Sequence, residues 1–187
     1  FVLTGSHCTL SEVLVYIKDL LDEGAEVFPI ISETVKNTDT RFGSAAKWYS
    51  ELKNLTGKEP ITSIVDAEPI GPSSMFDVVV VAPCTGNTIA KLVNGISDTT
   101  AVMAIKAHLR NLKPVVIAIS TNDGLGINAK NIGLLINMKN IFLVPFGQDD
   151  YVVKANSLVA DMERIKPTIF QALQGKQIQP VLIQYPK

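Results

Sequence analysis

Cysteine and histidine are both scarce in this chain of 187 residues, with two of each. Cys8 and Cys84 cannot build a disulfide framework, and no CxxC spacing offers a cysteine-based metal site, so a cytosolic compartment is the default expectation. No apolar run approaches the ~20 residues needed to cross a bilayer. Lys and Arg number 17 against 18 Asp and Glu, a net charge of −1. That balance gives no electrostatic footprint for nucleic acid or an anionic membrane. Neither GxGxxG nor GxxxxGK[ST] occurs, which argues against an ordinary dinucleotide or nucleoside-triphosphate site. Repeats, low-complexity tracts and domain linkers are absent as well.

What is present is greasy and regularly punctuated. Hydrophobic residues make up 47% of the chain and mean hydropathy is +0.24, enough to suggest that part of the surface is covered by another chain. Short β-branched runs alternate with helical spacings, the pattern of βα units around a mainly parallel sheet. Strands are expected at 1–4, 25–32, 60–65, 78–82, 114–120 and 141–144. Helices are expected at 11–23, 44–55, 88–93, 98–110 (capped by Asp98), 128–138 and 155–175, the last bent at Pro167, with a loop over 33–43. The fold class is therefore α/β, one doubly wound Rossmann-like domain over 1–187. The opening "FVLTGS" reads as the end of a strand whose first residues lie upstream of Phe1.

In such a sheet, ligands bind beyond the carboxyl ends of the strands, where strand order reverses. Four loops fall there: "TGSHCT" (4–9), "SETVKNTDTRFG" (32–43), "PCTGNT" (83–88) and "STNDGLG" (120–126). They are rich in Gly, Ser, Thr and Asn, which hydrogen-bond without bulk and let backbone N–H groups approach a ligand. Where such a loop opens a helix, it suits an anion such as phosphate. Acid–base candidates are few. His7 sits in the first loop and is open as a catalytic group, whereas His108, mid-helix, reads as an ordinary packed or surface histidine. Cys84 is either a thiol activated at a helix N-terminus or a small inert core residue. Asp123 is a functional carboxylate or the turn residue before Gly124, and Arg41 a substrate-carboxylate binder or a solvated surface arginine.

The block "APCTGNTIAKLVNGISD" (82–98), with "TGS" after the first strand and "STNDGLG" before a helix, resembles the FMN-dependent flavoprotein decarboxylase superfamily. Pro83, Asn87, Thr88, Ala90, Lys91, Gly95, Ile96 and Asp98 match its P-x-S-x-N-T motif and continuation, with Thr85 in place of the serine. The resemblance implies a flavin fold assembling as trimers or dodecamers. It implies FMN contacts from Gly5, Ser6, His7, Ser32, Pro83, Cys84, Thr85, Gly86, Asn87, Thr88, Ser120, Thr121 and Asn122, with Arg41 and Asp123 toward substrate.

Within that superfamily, "TGSHCT", "NTDTRFG", "AEPIGP", "STNDGLG" and "NIFLVPFGQDD" look closest to the B subunits of a two-component oxidoreductase. The implied reaction is oxidation of a dihydrodipicolinate-type precursor, a small dicarboxylate, during sporulation in the mother-cell cytoplasm. The implied partner is the A subunit of that oxidoreductase, which resembles nicotinamide-dependent dehydrogenases and brings the NAD(P) site. One departure is informative: the catalytic histidine of the superfamily's cysteine decarboxylases falls on Pro69, and neither Glu68 nor Ile70 can replace an imidazole. Two alternatives stay open, a stand-alone FMN-dependent lyase and a non-catalytic scaffolding protein with a degenerate flavin site.

Overall fold

In the computed structural model, which describes residues 1–185, strand β1 (Val2–Leu3) leads into helix α1 (His7–Asp22). Strand β2 (Ile30–Ile31) leads into α2 (Glu33–Asn37) and α3 (Ala45–Thr56). Helix α4 (Ile64–Ala67) runs on as a 3-10 turn to Ile70, followed by β3 (Val79–Cys84), α5 (Gly86–Val93) and α6 (Thr100–Leu109). Next come β4 (Val115–Thr121), α7 (Asn128–Ile136) and β5 (Ile141–Leu143). The chain then forms β6 (Phe146–Gly147), β7 (Leu158–Ala160), a 3-10 turn over Met162–Arg164 and α8 (Ile165–Leu173).

The sheet order is β2-β1-β3-β4-β7-β6, with β5 lying beside the first half of β4. All pairs among β1 to β5 are parallel, and β7 is antiparallel to both β4 and β6. From β1 the chain moves outward to β2, then returns to place β3 on β1's other side. The order therefore reverses between β1 and β3, the position that opens a ligand crevice. Helices α1 and α8 pack on one face and α5, α6 and α7 on the other. That double cover explains the valines: every residue of β3 is buried, as are six of the seven in β4. Val79, Val80 and Val81 pair with Val115, Val116 and Ile117, but Cys84 pairs with Ile119. Three steps on β3 thus oppose two on β4, a bulge at Ala82–Pro83, whose peptide bond is cis. The bulge sits where β3 delivers its loop to the crevice.

Several expected elements differ, each for a local reason. Helix α1 begins at His7 rather than Ser11, so His7 is its first residue and not a loop residue. Only Ile30–Ile31 of the segment 25–32 pairs as a strand, because Pro29 offers no N–H and contributes just its carbonyl, to Ile61. The expected strand over 60–65 reduces to one bridge, Ile30 to Ile61, before the Ser63 side chain caps α4. Ser32 likewise caps α2 inside the expected loop 33–43. Thr99, not Asp98, caps α6, and Asp98 instead pairs with Lys91 at 2.6 Å. The segment 155–175 is not one helix: it holds β7, a 3-10 turn and α8, and Pro167 sits unkinked in the first turn of α8, where no N–H is required. No described helix is long and apolar enough to cross a membrane.

Candidate functional site

The ends of β1, β3 and β4 are joined by hydroxyl groups. The Thr4 hydroxyl, buried at the end of β1, donates to the Pro83 carbonyl at 2.8 Å and accepts from the Thr85 N–H at 2.9 Å. Ser6, the residue before α1, does not cap its own helix. Its hydroxyl instead hydrogen-bonds to that of Ser120 at 2.8 Å and of Thr9 at 3.1 Å, while Thr9 and Ser120 meet at 3.2 Å. With the Ser6 hydroxyl turned to the Thr9 and Ser120 side chains, the N–H groups of His7 and Cys8 at the head of α1 have no protein partner among the described residues.

Helix α5 presents a second free N-terminus to the same place. Thr85 caps it, accepting from the Thr88 N–H at 3.4 Å, and the two hydroxyls lie 3.1 Å apart. The N–H groups of Gly86 and Asn87 stay free among the described residues, and the exposed Asn87 amide is unpaired there too. Gly86 is required by closeness: a Cβ at this position would lie 2.4 Å from Asn128 Nδ2 and 2.8 Å from Thr121 Oγ1. Asn128 is in turn held by Asp123 at 3.3 Å and by Asn131 at 2.9 Å.

These ends open onto a cleft of about 1300 Å³, larger than the ~300–1,000 Å³ common for one drug-sized ligand. Its inner half is neutral: Gly5, Ser6, Thr85, Gly86, Asn87 and Ser120 line it, with Thr121 and Asn122 beside them. Its outer half comes from α1 and from residues between Asp149 and Tyr185, and is charged. Glu12, Asp149, Asp161 and Glu163 face Lys154 and Arg164 there. Partial burial, then the Asp161 and Glu163 carboxylates, raise the pKa of Glu12 above the ordinary carboxylate range. Arg164 pairs with Asp161 at 3.1 Å and Lys154 with Asp149 at 3.4 Å.

The remaining expected residues divide between support and cleft. Ser32, Pro83, Cys84 and Thr88 are buried behind the lining as caps and packing. Burial raises the Cys84 thiol well above its usual pKa, so it is the inert core cysteine of the two readings. Asp123 is a turn carboxylate outside the lining, accepting from the Ile127 N–H at 3.2 Å as well as from Asn128. Arg41 lies outside the lining, its guanidinium 4.8 Å from the centre of the Phe42 ring, and it is Phe42 that reaches the cleft. His7 does line the cleft; its two ring nitrogens are shielded and unpartnered, and burial lowers its pKa. His108 is fully buried, Nε2 lying 3.1 Å from the Pro114 carbonyl.

Sequence reasoning did not reach the charged half. Of its charged residues, Glu12 lies in α1, Asp149 and Lys154 in the stretch between β6 and β7, and Asp161, Glu163 and Arg164 in the segment expected to be a single helix. The C-terminal stretch 176–185, for which no element was expected, adds uncharged residues. That stretch forms a wall of the cleft. Val181 accepts from the Phe146 N–H and Ile183 donates to the Phe146 carbonyl, both at 3.0 Å, and the Tyr185 hydroxyl donates to the Val159 carbonyl at 2.8 Å.

The family model described as Flavoprotein matches residues 1–175 of this chain. The chain belongs to the Flavoprotein family. This Flavoprotein-family chain is 50% identical over 184 residues to the B subunit of dipicolinate synthase from Bacillus subtilis (strain 168), across 98% of this chain and 92% of that protein. A crystal structure of the dipicolinate synthase B subunit from Bacillus halodurans C superposes with a TM-score of 0.91 at 49% identity, covering 100% of this chain and 95% of the other. DmrB of Burkholderia xenovorans, solved in complex with FMN and described as a cubic protein cage for redox transfer, shares the fold at a TM-score of 0.69 and 19% identity, over 92% and 93% of the two chains.

Within the Flavoprotein family, the relevant fit is to a flavin nucleotide, and the inner half fits one. Two helix N-termini, α1 and α5, turn unpaired N–H groups toward the cleft, which suits a phosphate. Neutral hydroxyls and an amide surround them, and no carboxylate of the outer half belongs to that set.

Proposed function

We propose that this chain is the B subunit of a dipicolinate synthase. With the NAD(P)-binding A subunit, it takes part in oxidising a dihydrodipicolinate-type precursor to dipicolinate (pyridine-2,6-dicarboxylate) in the mother-cell cytoplasm of a sporulating bacterium. The observation that carries this reading is the 50% identity to the B. subtilis protein across 98% of the chain. The cleft supports it by having two chemically distinct halves and room for two ligands.

In this reading Gly5, Ser6, Ser120, Thr121, Asn122 and the N–H groups of Gly86 and Asn87 hold FMN, and His7 borders it. Thr85 lines the same half and caps α5, and Thr4, Ser32, Pro83, Cys84 and Thr88 fix those groups from behind. Bound FMN supplies two-electron acceptance. The protein's own contribution is to orient the ligands with a rigid set of donors and to keep water from the reacting bond. Aromatising the precursor releases two electrons and two protons, and the electrons pass finally to the nicotinamide of the partner. The family fold and the apolar exterior support a homo-oligomer, a trimer or dodecamer.

A second reading has the same partner but no flavin: a binding protein that delivers precursor to the NAD(P)-carrying chain. The unpartnered imidazole of His7, standing at the mouth of the neutral half, favours it. The deciding experiment mixes precursor, NAD(P), the NAD(P)-binding partner and this chain, with and without FMN. FMN-dependent formation of dipicolinate that needs both chains supports the main reading. Equal rates without FMN support the second, and turnover by this chain with FMN alone contradicts both in favour of a stand-alone flavoenzyme.

A further inference from the structure

The outer half of the cleft holds an arginine whose geometry is half used. Arg164 ends the 3-10 turn before α8 and lines the cleft. Its Nε donates to Asp161 Oδ2 at 3.1 Å, and its two terminal nitrogens have no partner among the described residues. Asp161 is itself fixed: its other carboxylate oxygen accepts from the Glu163 N–H, and its own N–H donates to the Pro145 carbonyl at 2.8 Å. A guanidinium anchored through Nε keeps its terminal nitrogens available, and an arginine edge can take a carboxylate in bidentate fashion.

The wall beside Arg164 comes from the chain that follows α8. Residues 176–185 lie beyond the stretch matched by the family model. The Gln177 side chain imitates a strand, accepting from the Leu143 N–H and donating to the Leu143 carbonyl, both at 2.7 Å. Gly147 leaves space for the strand to pass: a Cβ there would lie 2.2 Å from the Ile183 carbonyl oxygen. The Tyr185 hydroxyl is committed to Val159, so this wall offers the ligand ring and aliphatic surface rather than charge.

We propose that Arg164 anchors a carboxylate of the small planar substrate in the outer half of the cleft, against the wall formed by residues 181–185. The proposal rests on the dipicolinate synthase reading and assigns the substrate end of that site. Glu12, Asp149 and Glu163 make the outer half hostile to a dianion wherever a cation is missing, and Lys154 is paired to Asp149. Arg164 therefore decides whether a dicarboxylate is held or repelled.

The test is a calorimetric titration of the FMN-saturated chain with pyridine-2,6-dicarboxylate, in wild type, Arg164→Gln, Arg164→Lys and Gly147→Ala, with a parallel FMN titration of each. The expected result is at least tenfold weaker dicarboxylate binding in R164Q, an intermediate loss in R164K, which keeps charge but not the fork, and a loss in G147A, with FMN affinity unchanged throughout. Wild-type binding with R164Q equally tight overturns the Arg164 assignment and leaves the dipicolinate reading standing. Should R164Q fail to fold, R164K decides, and binding within twofold of wild type overturns the proposal. Wild type that binds no dicarboxylate, alone or with its NAD(P)-binding partner, overturns the substrate reading and this proposal together.

Discussion

The hydroxyls of Ser6 and Ser120 meet at 2.8 Å although 114 residues separate them and their strands do not pair. β3 lies between β1 and β4, and the two serines join hands over its carboxyl end. One contact thereby closes the base of the crevice and leaves the head of α1 uncapped for a ligand. Ser120→Ala leaves Ser6 bonded to Thr9 and removes one neutral donor from the neutral half. A neutral hydrogen bond is worth about 0.5–1.5 kcal/mol, so FMN affinity should weaken by about twofold to tenfold. Fluorescence titration of FMN measures this, and unchanged affinity would remove Ser120 from the site.

Thr4 holds the same base from below. Thr4→Val keeps the shape but deletes the bond to the Pro83 carbonyl and orphans the Thr85 N–H. Leaving a buried donor unpaired costs about 1–3 kcal/mol. Chemical denaturation should show a loss in that range, and a change under about 0.5 kcal/mol, the lower end for a single hydrogen bond, would mean that the bulge does not depend on Thr4.

The two cysteines should separate by reactivity. Cys8 is exposed, whereas Cys84 is fully buried with a raised thiol pKa. In the native protein a thiol reagent should modify Cys8 and spare Cys84, which reacts only after denaturation. Peptide mapping of the labelled chain checks this, and native labelling of Cys84 would contradict its place in β3.

His108 links stability to pH. Burial lowers its pKa below the unfolded value, opposed by the bond to Pro114 and assisted by Lys113. The unfolded chain then binds the proton more readily, so the native state loses stability as pH falls from about 7 through the unfolded histidine pKa of ~6.5 toward the lower folded value. His7 shifts the same way. In His108→Gln the decline in stability between about pH 7.5 and about pH 5.5, a window that brackets the unfolded histidine pKa, should be shallower, as read by denaturant midpoints at each pH. An unchanged slope would assign the effect to other groups.

The inner half of this site was legible because its chemistry is local: "PCTGNT" announces a cap, a glycine and a helix start within six residues. Buried valines likewise declare a central strand wherever both faces are covered. The outer half was not legible, because it depends on pairings distant in sequence. Asp161 acts on Glu12 from the far end of the chain, and the stretch 181–185 becomes a wall only through its bonds to Phe146 and Val159. Asp123 and Arg41 show the converse limit. Their residue types fit substrate binding, yet a turn and an adjacent aromatic ring claim them.

The proposed function turns on FMN binding in the neutral half of the cleft, between the heads of α1 and α5. That binding is read in the visible spectrum of the purified chain titrated with FMN. The expected result is saturable binding with a perturbed flavin absorption band, weakened in Ser120→Ala. A spectrum identical to that of free FMN at every protein concentration, with or without the NAD(P)-binding partner, would contradict it.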